Sequence, residues 1–248
     1  MKVVLFCGGL GLRFRGVAEN VPKPMVPIGY RPVLWHVMKY YAYHGHTDFI
    51  LCLGYKADAI KSFFLNYDEA ISNDFVLSGG DKGIELLHRD IDNWRITFCD
   101  TGLTTSIGQR LRAVRKHLEG EEYFLASGKT ASFALVRPTH SFHVVRMREK
   151  DLVSDIQDLA VSDIRINGGY FMFRHDVFDY IRPNEELVHE PFRRMIEANQ
   201  LVAYEHAGFW TCMDTFKDQQ RLEDLFGSGH APWELWRERS PDDDTDGT

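Results

Sequence analysis

The stretch FCGGLGLRFRGVAENVPKPM, residues 6–25, holds the residues whose types and spacing best suit chemistry. Gly8, Gly9 and Gly11 carry no Cβ, so a loop built on them, with Leu10 between, brings backbone N–H groups close to a ligand and aims them at phosphate oxygens. Arg13 and Lys23 add positive charge toward the same anion. Two general phosphate motifs fail. The Walker pattern ends in Gly-Lys-Ser/Thr, which is missing, and a dinucleotide-binding GxGxxG starting at Gly9 meets Phe14 where its third glycine belongs. A dinucleotide-dependent oxidoreductase is therefore a poor reading. Taken alone, the loop serves equally as a phosphate cradle and as a tight turn.

A cradle needs elements to hold it. In open parallel sheets, ligands sit beyond the C-terminal ends of the strands. Val3–Cys7 is a short buried-strand candidate that ends at the first glycines. RPVLWHVMKYYAYHG reads as a helix, with Pro32 at its start, apolar Val33, Leu34, Val37, Met38 and Tyr41, and Gly45 as its stop. DFILCLG is the next strand and KADAIKSFFLNY the next helix, with Ile60, Phe63 and Phe64 on one face. IELLH and WRITFCD are further strands, and SIGQRLRAVRKHLEG is a helix closed by Gly120. YFLA, TASFALVRP, SFHVVRM, LVSDIQ, INGGYFMFR and LVAYEH read as strands. HDVFDYI, EPFRRMIEANQ and TFKDQQRLEDLFGSG read as helices. The alternation argues for an α/β fold with a mostly parallel, mixed sheet and helices on both faces.

The totals agree. The chain has 248 residues, 44% hydrophobic and 26% charged, enough for one large core. A single domain is expected over residues 1–239, followed by an acidic, disordered tail, 240–248. Net charge is −7, with no long Lys/Arg run, which argues against a nucleic-acid or membrane surface. The basic residues near the start therefore serve something small. Cys7, Cys52, Cys99 and Cys212 are scattered without a CxxC and read as reduced thiols of a cytoplasmic protein. MKVVLF is too short for a signal-peptide apolar region, and nothing approaches a membrane span.

GGLGLR…PKPMVPIG resembles the sugar-1-phosphate nucleotidyltransferases, whose pattern is GGxGTR…PKP. The likeness continues through LWHVMKYY, GYK, TGLTTSIGQRL, INGGYF and GFWTCMDTFKD, nearly the whole chain to about Trp236, and is strongest to the glucose-1-phosphate cytidylyltransferase branch. It implies a Rossmann-like, GT-A-like fold. It also implies transfer of a nucleotidyl group from a nucleoside triphosphate, CTP by preference, to a hexose 1-phosphate, glucose 1-phosphate by preference. In that reaction an anionic oxygen attacks the α-phosphorus in line, so positioning and charge neutralisation carry the catalysis. By this resemblance Gly8, Gly9, Leu10, Gly11 and Arg13 hold the triphosphate, and Lys23 meets the phosphates at the reacting centre. Thr105 and Arg110 contact the nucleotide. Asn167, Gly168 and Trp210 form the sugar pocket. Asp214 is one of two carboxylates that hold Mg²⁺. Each has a plainer reading: Lys23 an exposed loop charge, Asp214 a cap on the helix near Phe216, INGG a turn, Arg110 a solvated helix charge. Oligomeric state stays open, a homo-oligomer included.

Three departures stand out. Leu12 replaces the threonine of GTR. The family's Glu-Lys-Pro, whose lysine holds the sugar phosphate, has no counterpart near DIQDLAVSD, where Arg165 is the nearest substitute. After YFLA the family continues with Tyr-Gly-Asp, its second metal ligand, and a crossover helix. Here Ser127, Gly128, Lys129 and Thr130 follow instead. Parallel strands need a crossover of about a dozen residues or more, so this stretch reads either as a deleted crossover unit or as a hairpin, YFLA-SGK-TASFALV. The deletion implies an alternative function: a catalytically impaired family member that binds nucleotide or sugar nucleotide without efficient turnover.

Overall fold

In a computed structural model, residues 1–9, 21–79, 83–120, 127–139 and 142–237 are described. They cluster into two compact units, one from Met1–Glu119 and the chain from Asp214 onward, the other Gly120–Met213. The first runs β1 (Lys2–Phe6), β2 (Pro27–Ile28), β3 (Arg31–Pro32), α1 (Val33–Tyr43), β4 (Asp48–Leu53), α2 (Ala57–Leu65), β5 (Phe75–Ser78), β6 (Gly83–Leu86), β7 (Arg95–Asp100) and α3 (Ile107–Ala113). The second runs β8 (Ala131–Val136), β9 (His143–Met147), β10 (Val153–Asp158), β11 (Ile166–Phe173), α4 (Glu190–Glu197) and β12 (Leu201–Glu205). Helix α5 (Phe216–Gly227) belongs to the first unit.

In the first unit β1, β4 and β7 form a parallel sheet with β4 in the middle. Phe49 to Leu53 are all buried, so β4 shows an unbroken apolar run in place of alternation, as a parallel strand covered on both faces requires. Phe49, Leu51 and Leu53 pack with Leu34 and Met38 of α1 and Ile60 of α2. Cys52 alternates to the opposite face, where its thiol lies 3.9 Å from the Arg110 carbonyl of α3. Helices therefore cover both faces. Helix α1 starts after Pro32, whose φ of −71° suits a helix start, and Gly45, at φ +82°, takes the left-handed turn that closes it. Truncating Leu51 to Ala in this core should cost about 2–5 kcal/mol.

In the second unit β8 is central, antiparallel to β11 and parallel to β12. The first strand of the expected hairpin, 123–126, lies outside the described residues. Its second strand, β8, is paired on both edges from Ala131 to Phe133, which leaves no edge there for a third partner. The helix expected of HDVFDYI is a short 3-10 turn, His175–Asp179. Pro183 restricts Arg182 before it and blocks a longer helix. Residues 240–248 also lie outside the described residues.

Candidate active site

The chain leaves β1 through Cys7 and Gly8 at the C-terminal end of the parallel sheet. A Cβ at position 8 would sit 2.1 Å from Nη1 of Arg110, so a side chain there would have to displace the guanidinium. Among the described residues nothing lies within 4 Å of a Cβ at Gly9. Leu10, Gly11 and Arg13 lie outside the described residues. Burial pushes the Cys7 thiol far above its ordinary range, with Cys52 adding and Arg110 opposing, so this thiol is no nucleophile.

Lys23 opens a 3-10 turn, Lys23–Met25, fixed between Pro22 and Pro24. Its Nζ donates to Oδ1 of Asp214 at 2.5 Å, across 191 residues of sequence. Both side chains are about a third exposed, at 39% and 35%. Asp214 does not cap α5. Thr215 does, accepting the Asp218 N–H at 3.2 Å, while Oδ2 of Asp218 accepts the Thr215 N–H at 2.8 Å. The capping box holds the backbone beside Asp214 and leaves its carboxylate to Lys23.

Thr105 is half-buried and gives its carbonyl to Nε of Arg110 at 3.0 Å. Arg110 is 4% exposed, so it is not a solvated helix charge. Nη1 donates to the Leu53 carbonyl (3.0 Å) and Thr101 Oγ1 (2.6 Å), and Nη2 to the carbonyls of Gly8 (3.1 Å) and Leu103 (3.4 Å). Sequence reasoning missed this anchoring. Its signal was the glycine of GYK, Gly54, where a Cβ would come within 3.0 Å of Nη1.

In the second unit, INGG is a break in the β8–β11 register, between Asn167 and Phe171. Asn167 Oδ1 accepts the Gly169 N–H at 2.8 Å, and Gly169 has φ +80°. The Trp210 indole N–H donates to the Gly168 carbonyl at 3.0 Å. A Cβ at Gly168 would meet Val136 Cγ1 at 2.9 Å and the indole nitrogen at 3.2 Å. Such a bulge re-aims side chains from a strand, and here Asn167 is exposed beside a pinned tryptophan. Arg165 is paired with Glu205 at 2.8 Å and holds that carboxyl below its usual range.

Among the described residues no group of three or more His, Cys, Asp or Glu is set to hold a metal. Asp100 Oδ1 accepts the Gly102 N–H of its own loop at 3.0 Å. From 127 to 147 the sequence has no Asp or Glu. Asp214 is thus the one expected carboxylate present. It fits a divalent ion only where phosphate oxygens complete the shell.

A family model described as nucleotidyl transferase matches residues 2–75. The chain is 35% identical to the glucose-1-phosphate cytidylyltransferase of Salmonella typhimurium and 34% identical to that of Salmonella typhi, each over 258 residues covering 95% of this chain and 100% of the relative. A solved UDP-glucose pyrophosphorylase complexed with UDP-glucose superposes with a TM-score of 0.63 at 12% identity, over 92% of this chain and 98% of that one. The fold is therefore that of the Rossmann-like nucleotidyltransferases. The chain belongs to the sugar-1-phosphate nucleotidyltransferase family, with the glucose-1-phosphate cytidylyltransferases among its relatives. Enzymes of this family act on a nucleoside triphosphate and a sugar phosphate and generally use a divalent metal.

Proposed function

We propose that the chain transfers a cytidylyl group from CTP to glucose 1-phosphate, giving CDP-glucose and pyrophosphate. The observation that carries this reading is the 2.5 Å pair of Lys23 and Asp214, which joins the lysine of PKP to the carboxylate of MDT. In the proposed reaction an oxygen of the sugar phosphate attacks the α-phosphorus, and the bond to the pyrophosphate oxygen breaks in line. The nucleophile is already an anion, so no side chain has to remove a proton. Gly8, Gly9, Leu10, Gly11 and Arg13 hold the triphosphate, Lys23 neutralises charge at the reacting phosphorus, and Thr105 and Arg110 serve the nucleotide side. Asn167, Gly168 and Trp210 serve the sugar. Asp214 with the substrate phosphates would hold Mg²⁺, which supplies further charge neutralisation.

We read residues 1–239 as one nucleotidyltransferase domain with an acidic tail. The chain works in the cytoplasm, with neither nucleic acid nor membrane as partner. The −7 charge and four cysteines outside any disulfide support this, and among the described residues no helix is long and apolar enough to cross a membrane. The test is pyrophosphate release with each of the four triphosphates, glucose 1-phosphate and Mg²⁺. Turnover with CTP is expected, and turnover with another triphosphate alone would overturn the choice of base.

A second reading has its own support: a family member that binds nucleotide but turns it over poorly. The stretch from 127 to 147 has no carboxylate, where the family resemblance places the second metal ligand. Nucleotide binding without pyrophosphate release in the same assay would favour this reading.

A further inference from the structure

We propose that a cavity between α1 and the chain that follows α5 is a second ligand site, and that its ligand is a neutral pyranose. The cavity shares no residue with the site described above, and nothing in the proposal depends on the reaction proposed there.

The cavity measures about 560 Å³, within the range of small-molecule sites, and every residue lining it belongs to the first unit. One part of the lining is aromatic. Tyr30 meets Phe226 edge to face with centroids 5.2 Å apart, and Trp35 meets Trp236 in the same way at 5.8 Å. Trp35 is buried, yet Tyr30 is 57% exposed, so an aromatic ring is left open to water. The rest of the lining is ionic. Lys39 pairs with Asp90 at 2.9 Å and Arg237 with Glu234 at 2.8 Å. The carboxylates of both pairs are buried. Such pairs add little or nothing to stability compared with apolar residues of the same volume. Folding alone therefore gives no reason to line a cavity with them.

The ligand follows from how the charges are matched. A phosphate needs cations without counter-ions, and an amine needs a free carboxylate. Here Lys39 and Arg237 each hold a carboxylate, and Asp90 also accepts from Ser72 Oγ at 2.6 Å and Asn73 Nδ2 at 2.8 Å. Arg31 donates to Ser72 Oγ and the Asp68 carbonyl and lies over the Tyr67 ring at 4.2 Å. Exposed Asp74, His88 and Arg89 line the same cavity, and their side chains have no partner among the described residues. They offer hydroxyls both donors and an acceptor, and the charges of Asp74 and Arg89 cancel. The rings add a second criterion. They cross at 80° and 86°, so neither pair forms parallel walls that would sandwich a flat base. A pyranose suits them: its C–H face lies on one ring while its rim of hydroxyls reaches the polar groups.

The experiment is a titration with the methyl α-glycosides of glucose, mannose and galactose, and with inorganic phosphate and cytidine beside them. Binding is followed by ligand-observed NMR for the wild-type chain, Tyr30→Ala, Trp236→Leu and Asn167→Ala. At least one glycoside should bind with a dissociation constant of about 1 mM, the ordinary efficiency for a ligand of this size. Tyr30→Ala and Trp236→Leu should each weaken it about fivefold or more, and Asn167→Ala, in the proposed sugar pocket of the reaction, should leave it within about twofold. If no glycoside binds, the proposal is overturned. A loss in Asn167→Ala with none in Tyr30→Ala also overturns it, because the sugar is then in the reaction's own pocket. So does a loss of phosphate or cytidine binding in Tyr30→Ala with the glycosides unaffected, which gives the cavity a different ligand. Because Tyr30 is exposed, its variant decides the matter if Trp236→Leu does not fold.

Discussion

Nζ of Lys23 lies 2.5 Å from Oδ1 of Asp214, so the residue proposed to neutralise phosphorus and the residue proposed to hold the metal neutralise each other when neither ligand is there. Both side chains are partly solvated. The pair therefore contributes about 0–1 kcal/mol to stability, and its removal should be felt in chemistry rather than in folding. Lys23→Ala is expected to lower turnover by about 100-fold or more, the scale of losing one charge-stabilising group, with little change in melting temperature. Unchanged turnover would remove Lys23 from the site.

The same contact sets an expectation for the metal. A divalent ion at Asp214 competes with the lysine for the carboxylate, and the triphosphate supplies the remaining oxygens. CTP should therefore raise the melting temperature more with Mg²⁺ than with a chelator. Asp214→Asn should erase the difference. Equal shifts in the wild-type chain would argue that no metal site operates.

A pH dependence should arise at His36. Its Nε2–H donates to the Ile28 carbonyl at 3.0 Å, and Nδ1 accepts the Trp233 indole N–H at 3.2 Å, which fixes a neutral ring. Burial lowers its pKa to about 4. A depressed folded-state value means that the contribution is complete above the unfolded value of about 6.5 and is lost as pH falls toward 4. The loss should approach about 3 kcal/mol. Arg31 and Arg237 face the ring and also disfavour its charge. Glu234, 3.9 Å away with its carboxyl raised by burial, opposes the trend as it protonates. Melting temperatures from pH 7 to pH 4 should fall in the wild-type chain and flatten in His36→Gln. An unchanged slope in the variant would put the dependence elsewhere.

What was legible in the sequence follows from periodicity and burial. The run FILCL gave β4, and Pro32 with Gly45 gave the limits of α1, because those signals are local. Strand β5 was missed: Phe75 to Ser78 are all exposed, so no buried face leaves a pattern. The Thr215–Asp218 capping box is local and readable, yet Asp214 beside it was open to a capping role until its partner was known. Arg110 was open to two readings, a nucleotide contact and a solvated charge, for the same reason. Helical spacing cannot tell a solvated arginine from one inserted among three strand ends. Its acceptors lie up to 102 residues away, and no window of sequence contains them.

The last expectation concerns the stretch from Ser127 to Met147, which has no Asp or Glu. Strand β8 begins within it at Ala131 and pairs on both edges, so the strand is seated although the stretch itself offers no carboxylate. With Asp214 as the one expected ligand, an ion bound through phosphates is free to shift relative to the α-phosphorus, and small misplacements cost orders of magnitude in rate. Nucleotide affinity should be spared, because Gly8, Gly9 and Lys23 belong to the other unit. Inserting the family's aspartate and crossover helix between Ala126 and Ser127 is expected to raise turnover about 100-fold or more while CTP affinity stays within about threefold. A wild-type chain that already turns over at roughly 1–1,000 per second would defeat this account. A second ligand would then have to be sought at Asp100, and Asp100→Asn would identify it by loss of the Mg²⁺-dependent rate.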